Sequence, residues 1–71
     1  MDRYENLANA IILQAVKDYR RALKQLARNR VNVQAIQMKN DVEWFFRSGL
    51  FSMLTTINGE ELLTKLRTEV A

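Results

Sequence analysis

The chain contains no cysteine, no histidine and no proline, and only two glycines. Each absence excludes something. Without cysteine, no disulfide can staple a small fold, and without cysteine or histidine the usual zinc sites cannot form. Without imidazole there is no base for a nucleophilic triad. The longest unbroken apolar run is Ala10 to Leu13, far short of the roughly 20 residues a membrane-spanning helix needs. No charged-then-apolar leader opens the chain, since Arg3, Glu5 and Asn9 interrupt it. There is no low-complexity tract and no internal repeat.

The 71 residues suffice for one domain, residues 1–71. A chain of this size buries only about 60% of its unfolded surface, so its stability depends on tight packing or on a second copy. Zero cysteine is compatible with a reducing compartment.

Four helical pieces are expected, over about 3–28, 33–47, 49–55 and 59–68. In the first, Tyr4, Ala8, Ile11, Ile12, Ala15, Tyr19, Ala22, Leu23 and Leu26 recur at three- and four-residue steps. At 100° per residue they share one face. Asp2 and Glu5 have the spacing of a capping box. Asn29 to Asn32 is a short connection, and Asn32 is a suitable cap for the second helix. That helix carries its apolar stripe on Ala35, Met38, Val42, Phe45 and Phe46, with Trp44 pointing elsewhere. Ser48 caps a short third helix carrying Leu50, Phe51, Met53 and Leu54. Asn58 followed by Glu61 repeats the capping-box pattern before a fourth helix built on Leu62, Leu63 and Leu66, with Val70 a further member. Val31 and Val33 are too isolated for a strand. The expected fold is all-α: a compact bundle of three main helices plus one short helix.

Charge is unevenly placed along this scaffold. Residues 1–40 hold eight basic and three acidic side chains, residues 41–71 three basic and five acidic. Lys17, Arg20, Arg21, Lys24 and Arg28 fall in the last twelve positions of the first helix, opposed only by Asp18. Lys17, Arg21, Lys24 and Arg28 follow an i, i+4, i+7, i+11 track, one ridge on one helix, and Arg20 and Arg30 lie beside it. Such a ridge can line up with a phosphate backbone. It can equally be a solvated helix face. No helix-turn-helix spacing is evident, and no aromatic side chain interleaves the cations to stack single-stranded bases.

Equipment for catalysis is sparse. Asp41 and Glu43 diverge by about 200° on a helix, and Glu60 and Glu61 sit in a first turn, where acids simply favour the helix dipole. Asn58-Gly59 is a turn, not a phosphate cradle. The expectation is a binding protein rather than an enzyme, with no cofactor and no metal. Its candidate partner-binding or nucleic-acid-binding residues are Lys17, Arg20, Arg21, Lys24, Arg28, Arg30, Trp44 and Phe51. Trp44 and Phe51 are candidate anchors of a protein interface unless the short helix covers them. Leu13 and Val16 lie off the main stripe of the first helix, so symmetric pairing through that helix is a natural way to hide them.

The segments AIILQAVKDYRRAL (10–23), WFFRSGLFSMLT (44–55) and NGEELLTKLR (58–67) resemble small uncharacterised proteins carried by phages and mobile elements of Gram-positive bacteria. The resemblance spans nearly the whole chain and transfers no catalytic or binding residue. It implies a place among small phage accessory proteins, which include anti-defence factors of the anti-CRISPR type and DNA-associated regulators. The implied function is non-enzymatic: binding and inhibiting a bacterial CRISPR effector nuclease complex in the host cytoplasm. The alternative is a small DNA-binding regulator or accessory protein of a phage or mobile element, and an assembly adaptor is a third. Many inhibitors of the first kind mimic DNA with acidic surfaces, and this basic chain departs from that mode.

Overall fold

The computed structural model describes the backbone of residues 3–70 and the side chains of residues 6–69. The chain is all-α, and among the described residues there is no strand. Four helices follow one another: α1 (Arg3–Arg28), α2 (Val33–Arg47), α3 (Gly49–Leu54) and α4 (Gly59–Val70). α3 stops one residue short of the expected boundary, because Thr55 is already extended. α4 runs two residues beyond its expected end. The Asp2–Glu5 cap and the side chains of Tyr4 and Val70 lie outside the described residues.

The helix boundaries have local causes. The Asn32 side chain accepts from the Ala35 N–H at 3.0 Å and starts α2. Ser48 serves two helices. Its hydroxyl donates to the Phe45 carbonyl at 2.7 Å, closing α2, and accepts from the Phe51 N–H at 3.4 Å, opening α3. Asn58 accepts from the Glu61 N–H at 3.1 Å and starts α4. Gly59 is dictated by packing rather than by backbone conformation, since among the described residues none has a positive φ. A Cβ there would overlap the Phe46 carbonyl, 2.9 Å from its carbon and nearer still to its oxygen. Only glycine lets the start of α4 press this closely on the end of α2.

α1 is the long axis of a body measuring 40 × 19 × 19 Å. α2 packs antiparallel to it, with Ile11 and Ala15 facing Phe45 and Val42 at one end and Ala22 and Gln25 facing Met38 and Gln34 at the other. α4 runs antiparallel to α2, as the Arg47–Glu60 and Glu43–Arg67 pairs fix. The core joins Ile12, Val16 and Tyr19 of α1 to Val42 and Phe46, Phe51, and Leu63 and Leu66. Tyr19, Phe51, Leu63 and Leu66 are the largest fully buried side chains. Phe46 and Phe51 meet edge to face at 5.0 Å between ring centres, and Phe45 meets Phe51 the same way at 5.7 Å. Pairs of this kind add about 0.5–1.5 kcal/mol beyond the area they bury.

Two expectations about exposure are corrected. Phe51 is not a surface anchor: it is 2% exposed. Ser48 turns the chain back after α2, and the single turn of α3 then aims this ring at Phe46. Val16 is not spare surface either, because it belongs to the core, on the flank of α1 where Tyr19 and Arg20 meet Arg67 and Glu69 of α4. Conversely, Ile11 and Met38, assigned to apolar stripes, stand about two-fifths exposed at the edges of the α1–α2 seam, at 41% and 39%.

Candidate functional site

The outer face of α1 is the candidate site. The core residues Ala8, Ile12, Val16, Tyr19 and Ala22 fix which side of the helix is inside. Lys17, Arg21, Lys24 and Arg28 then fall on the diametrically opposite side, at about 180° from the core direction. All four are exposed, as is Arg30 in the following connection. The ridge from Lys17 to Arg28 extends roughly 16 Å along the helix. Among the described residues none of these five cations has an ion-pair partner.

Arg20 differs. Its guanidinium grips Glu69 of α4 in a fork, Nε to Oε2 at 2.9 Å and Nη2 to Oε1 at 3.1 Å. The hydrogen bond and charge of Arg20 hold the Glu69 carboxyl below its ordinary range. Arg20 therefore belongs first to the fold and only secondarily to the ridge.

Trp44 lies on the far side of α2 and is 71% exposed. It does not join the ridge: α1 meets α2 along the flank that carries Gln34, Met38, Asp41 and Phe45, and Trp44 stands outside that flank. Leu13, 57% exposed, shares the outer face of α1 with Lys17 and Lys24.

A second polar assembly, hidden from sequence reasoning, sits beneath this face. Tyr19 is fully buried, yet its hydroxyl donates to Glu43 Oε2 at 2.7 Å and accepts from Arg67 Nε at 3.1 Å. Lys39 Nζ reaches the same carboxylate oxygen at 2.8 Å, and guanidinium groups of Arg47 and Arg67 stand 3.7 Å from the carboxylate. Arg47 in turn pairs with Glu60. One acid thus ties α1, α2 and α4 together. Burial alone pushes the Glu43 carboxyl up. Hydrogen bonds from Lys39 and Tyr19 and the charges of Lys39 and Arg67 outweigh it, and the group titrates below its ordinary value of 4.5. Burial, then the hydrogen bond to Glu43, raises the Tyr19 phenol above 10.0.

The available signal for this node was the i, i+4 pair of Lys39 with Glu43, flanked again at i+4 by Arg47. An acid between two cations on the border of an apolar stripe reads as surface charge until the partner helix supplies Tyr19. The node is saturated with protein partners, and no buried side-chain polar atom among the described residues lacks one. Its geometry serves cohesion.

Among the described residues, no group of three Asp or Glu side chains is placed to hold a metal ion. No helix, among the described residues, is long and apolar enough to cross a membrane. Comparison with family models, with curated proteins and with solved structures finds no match to this chain.

Proposed function

We propose that the protein acts by contact rather than by turnover: a non-enzymatic, phage-type anti-defence protein that binds and inhibits a bacterial CRISPR effector nuclease complex. The binding element is the outer face of α1, and its counterpart is the nucleic acid held by that complex. One observation carries the proposal. Five cations, Lys17, Arg21, Lys24, Arg28 and Arg30, are gathered in one stretch, exposed and with no carboxylate partner among the described residues; of the other described cations Lys39, Arg47, Arg67 and Arg20 are ion-paired, and Lys65 of α4 is unpaired. A helix that sets aside this many charges is suited to a polyanion. The anti-defence role comes from the resemblance to small phage proteins, and the host cytoplasm follows from the same source.

The stoichiometry proposed is one chain per binding site. A homodimer through α1 would bring two cationic ridges face to face, and Val16, one of the two side chains it was to hide, is already in the core.

The test is target cleavage by a panel of CRISPR effectors with and without the purified protein. Inhibition is expected, and reversing Lys17, Arg21, Lys24 and Arg28 to Glu should abolish it. Absence of inhibition across the panel would overturn the proposal. A second reading, a DNA-binding regulator, is favoured by the straightness of the ridge along one helix. It requires effector-free duplex binding whose logarithmic salt slope is about −4 for four or five phosphates. Undetectable duplex binding at low salt would remove it.

A further inference from the structure

Half of the described acids are held in ion pairs, and those that are not are informative. Glu43, Glu60 and Glu69 are ion-paired. Glu61 lies in the first turn of α4, where the helix dipole favours it. Asp18 and Asp41 have neither excuse. Both sit in the middle of a helix, and neither has an ion-pair partner among the described residues. Asp18 receives only the Gln14 amide at 3.0 Å. No lysine or arginine stands three or four positions from Asp41, whereas Arg21 stands three positions from Asp18 without pairing with it.

These two carboxylates border the same groove. It lies between α1 and α2, has a volume of about 350 Å³, and its apolar lining is Ile11, Ala15, Val42 and Phe45. The groove is shallow and largely open to solvent, a place to lay an apolar side chain rather than an enclosed cavity. Trp44 is three positions from Asp41, so the two are surface neighbours on α2, and the indole is open to solvent. An exposed indole face attracts ammonium and guanidinium groups, as carboxylates do. An apolar groove, two acids without an ion-pair partner and an open indole all fit one kind of occupant.

We propose that the Ile11–Phe45 groove docks a cationic amphipathic helix of a partner protein, one that places a leucine- or phenylalanine-sized side chain in it. Its lysine or arginine side chains, one turn to either side, meet Asp18, Asp41 and the Trp44 ring. This surface is separate from the cationic ridge on the outer side of α1 and does not rest on the function proposed for that ridge. It follows the helix-in-groove mode of recognition, with the charge pattern setting orientation.

The experiment uses the full chain, isotope-labelled for NMR, and two synthetic 18-residue helical peptides. One carries a leucine and phenylalanine stripe flanked by lysine and arginine. The other carries the same stripe flanked by glutamate. The basic peptide should shift the resonances of Ala15, Asp18, Asp41, Val42 and the Trp44 indole, and the acidic one should not. Replacing Asp18→Asn together with Asp41→Asn should weaken binding about fivefold, and more salt should weaken it further. Replacing Lys17, Arg21, Lys24 and Arg28 by Gln removes cations that repel the basic peptide, so it should not weaken binding, and a loss of binding there would place the peptide on the ridge and overturn the proposal. Thermal melts of each variant check that the fold persists. Equal binding of both peptides, shifts confined to other residues, or unaltered affinity in the folded double-Asn variant would overturn the proposal. So would concentration-dependent self-association that the same double variant abolishes, because the occupant would then be a second copy.

Discussion

The two sides of α1 treat charge in opposite ways. On the inner side, one carboxylate from α2 is met by a phenol from α1, an ammonium from α2 and guanidinium groups from α2 and α4. On the outer side, Lys17, Arg21, Lys24 and Arg28 follow one another at four- and three-residue steps, and the one acid within their span, Asp18, pairs with none of them. Neighbouring like charges at such steps destabilise a helix by about 0.2–0.5 kcal/mol per pair. Three such pairs cost about 1 kcal/mol, of which the helix C-terminus returns a part near Arg28. The inner arrangement serves the fold, and the outer one works against it. A feature that the fold would be better without is a sound place to look for a partner.

The strongest way to test this contrast is to attack the inner node. Replacing Glu43→Ala leaves Lys39, Arg67 and the buried Tyr19 hydroxyl without their common acceptor. Removing one partner of a buried pair costs about 3 kcal/mol, which for a domain this small lowers the melting temperature by about 12–24 °C. Acid should do the same more gently. The Glu43 carboxyl titrates below 4.5 when folded, so the unfolded chain takes up its proton first as pH falls. The stabilisation is present above about pH 4.5 and is lost as pH drops through the lower folded value. Thermal melts between pH 7 and pH 2.5 should show this slope in the wild type and a shallower one in Glu43→Ala. If both slopes are equal, the node does not hold the helices together.

Next in size is Gly59→Ala. The added methyl meets the Phe46 carbonyl, a backbone atom of α2 that cannot swing away. Overpacking of this kind costs about 1–3 kcal/mol, while alanine's better helix propensity returns less than 1 kcal/mol. Urea titration should show a lower midpoint. An unchanged or raised midpoint would mean that α4 does not press on α2 as closely as described.

Much of this contrast was legible in the residues, and the failures have physical reasons. The 3.6-residue period placed α1 and its outer ridge correctly, because a long helix with one packed face fixes every other direction. Asn32, Ser48 and Asn58 marked their helix starts, because capping chemistry is local. Phe51 and Val16 were misjudged because burial depends on which second helix arrives, and periodicity within one helix does not carry that. Glu43 was read as one of several scattered acids for the same reason: its meaning lies in Tyr19, twenty-four residues away. The groove beside Asp18 and Asp41 is likewise a property of two helices, so neither helix alone announces it.

The third prediction reverses the sign of the first two. Replacing Lys17, Arg21, Lys24 and Arg28 by Gln removes the like-charge pairs and touches no packed atom. Stability should hold or rise by up to about 1 kcal/mol, while binding of the protein to nucleic acid collapses. A loss of stability would show that the fold uses these cations after all, and the contrast drawn above would fail.

The smallest effect concerns Arg20, the one cation among the described side chains of α1 that the fold has taken into an ion pair. Glu69 holds it in a two-point grip at the surface, with both side chains nearly half exposed, and exposed pairs contribute little to stability. Glu69→Gln should therefore leave the melting temperature within error. It should also release a guanidinium within one helical turn of Lys17 and Lys24. If the outer face of α1 lies along a nucleic-acid backbone, the freed group adds one phosphate contact. The logarithmic salt slope of duplex binding should then steepen by about 0.9, with tighter binding at low salt. An unchanged slope would place Arg20 outside the footprint and narrow it to the line through Lys17, Arg21, Lys24 and Arg28. Either slope locates the edge of the contact to within one side chain, because Arg20 stands on the boundary between the charges the fold uses and those it leaves out.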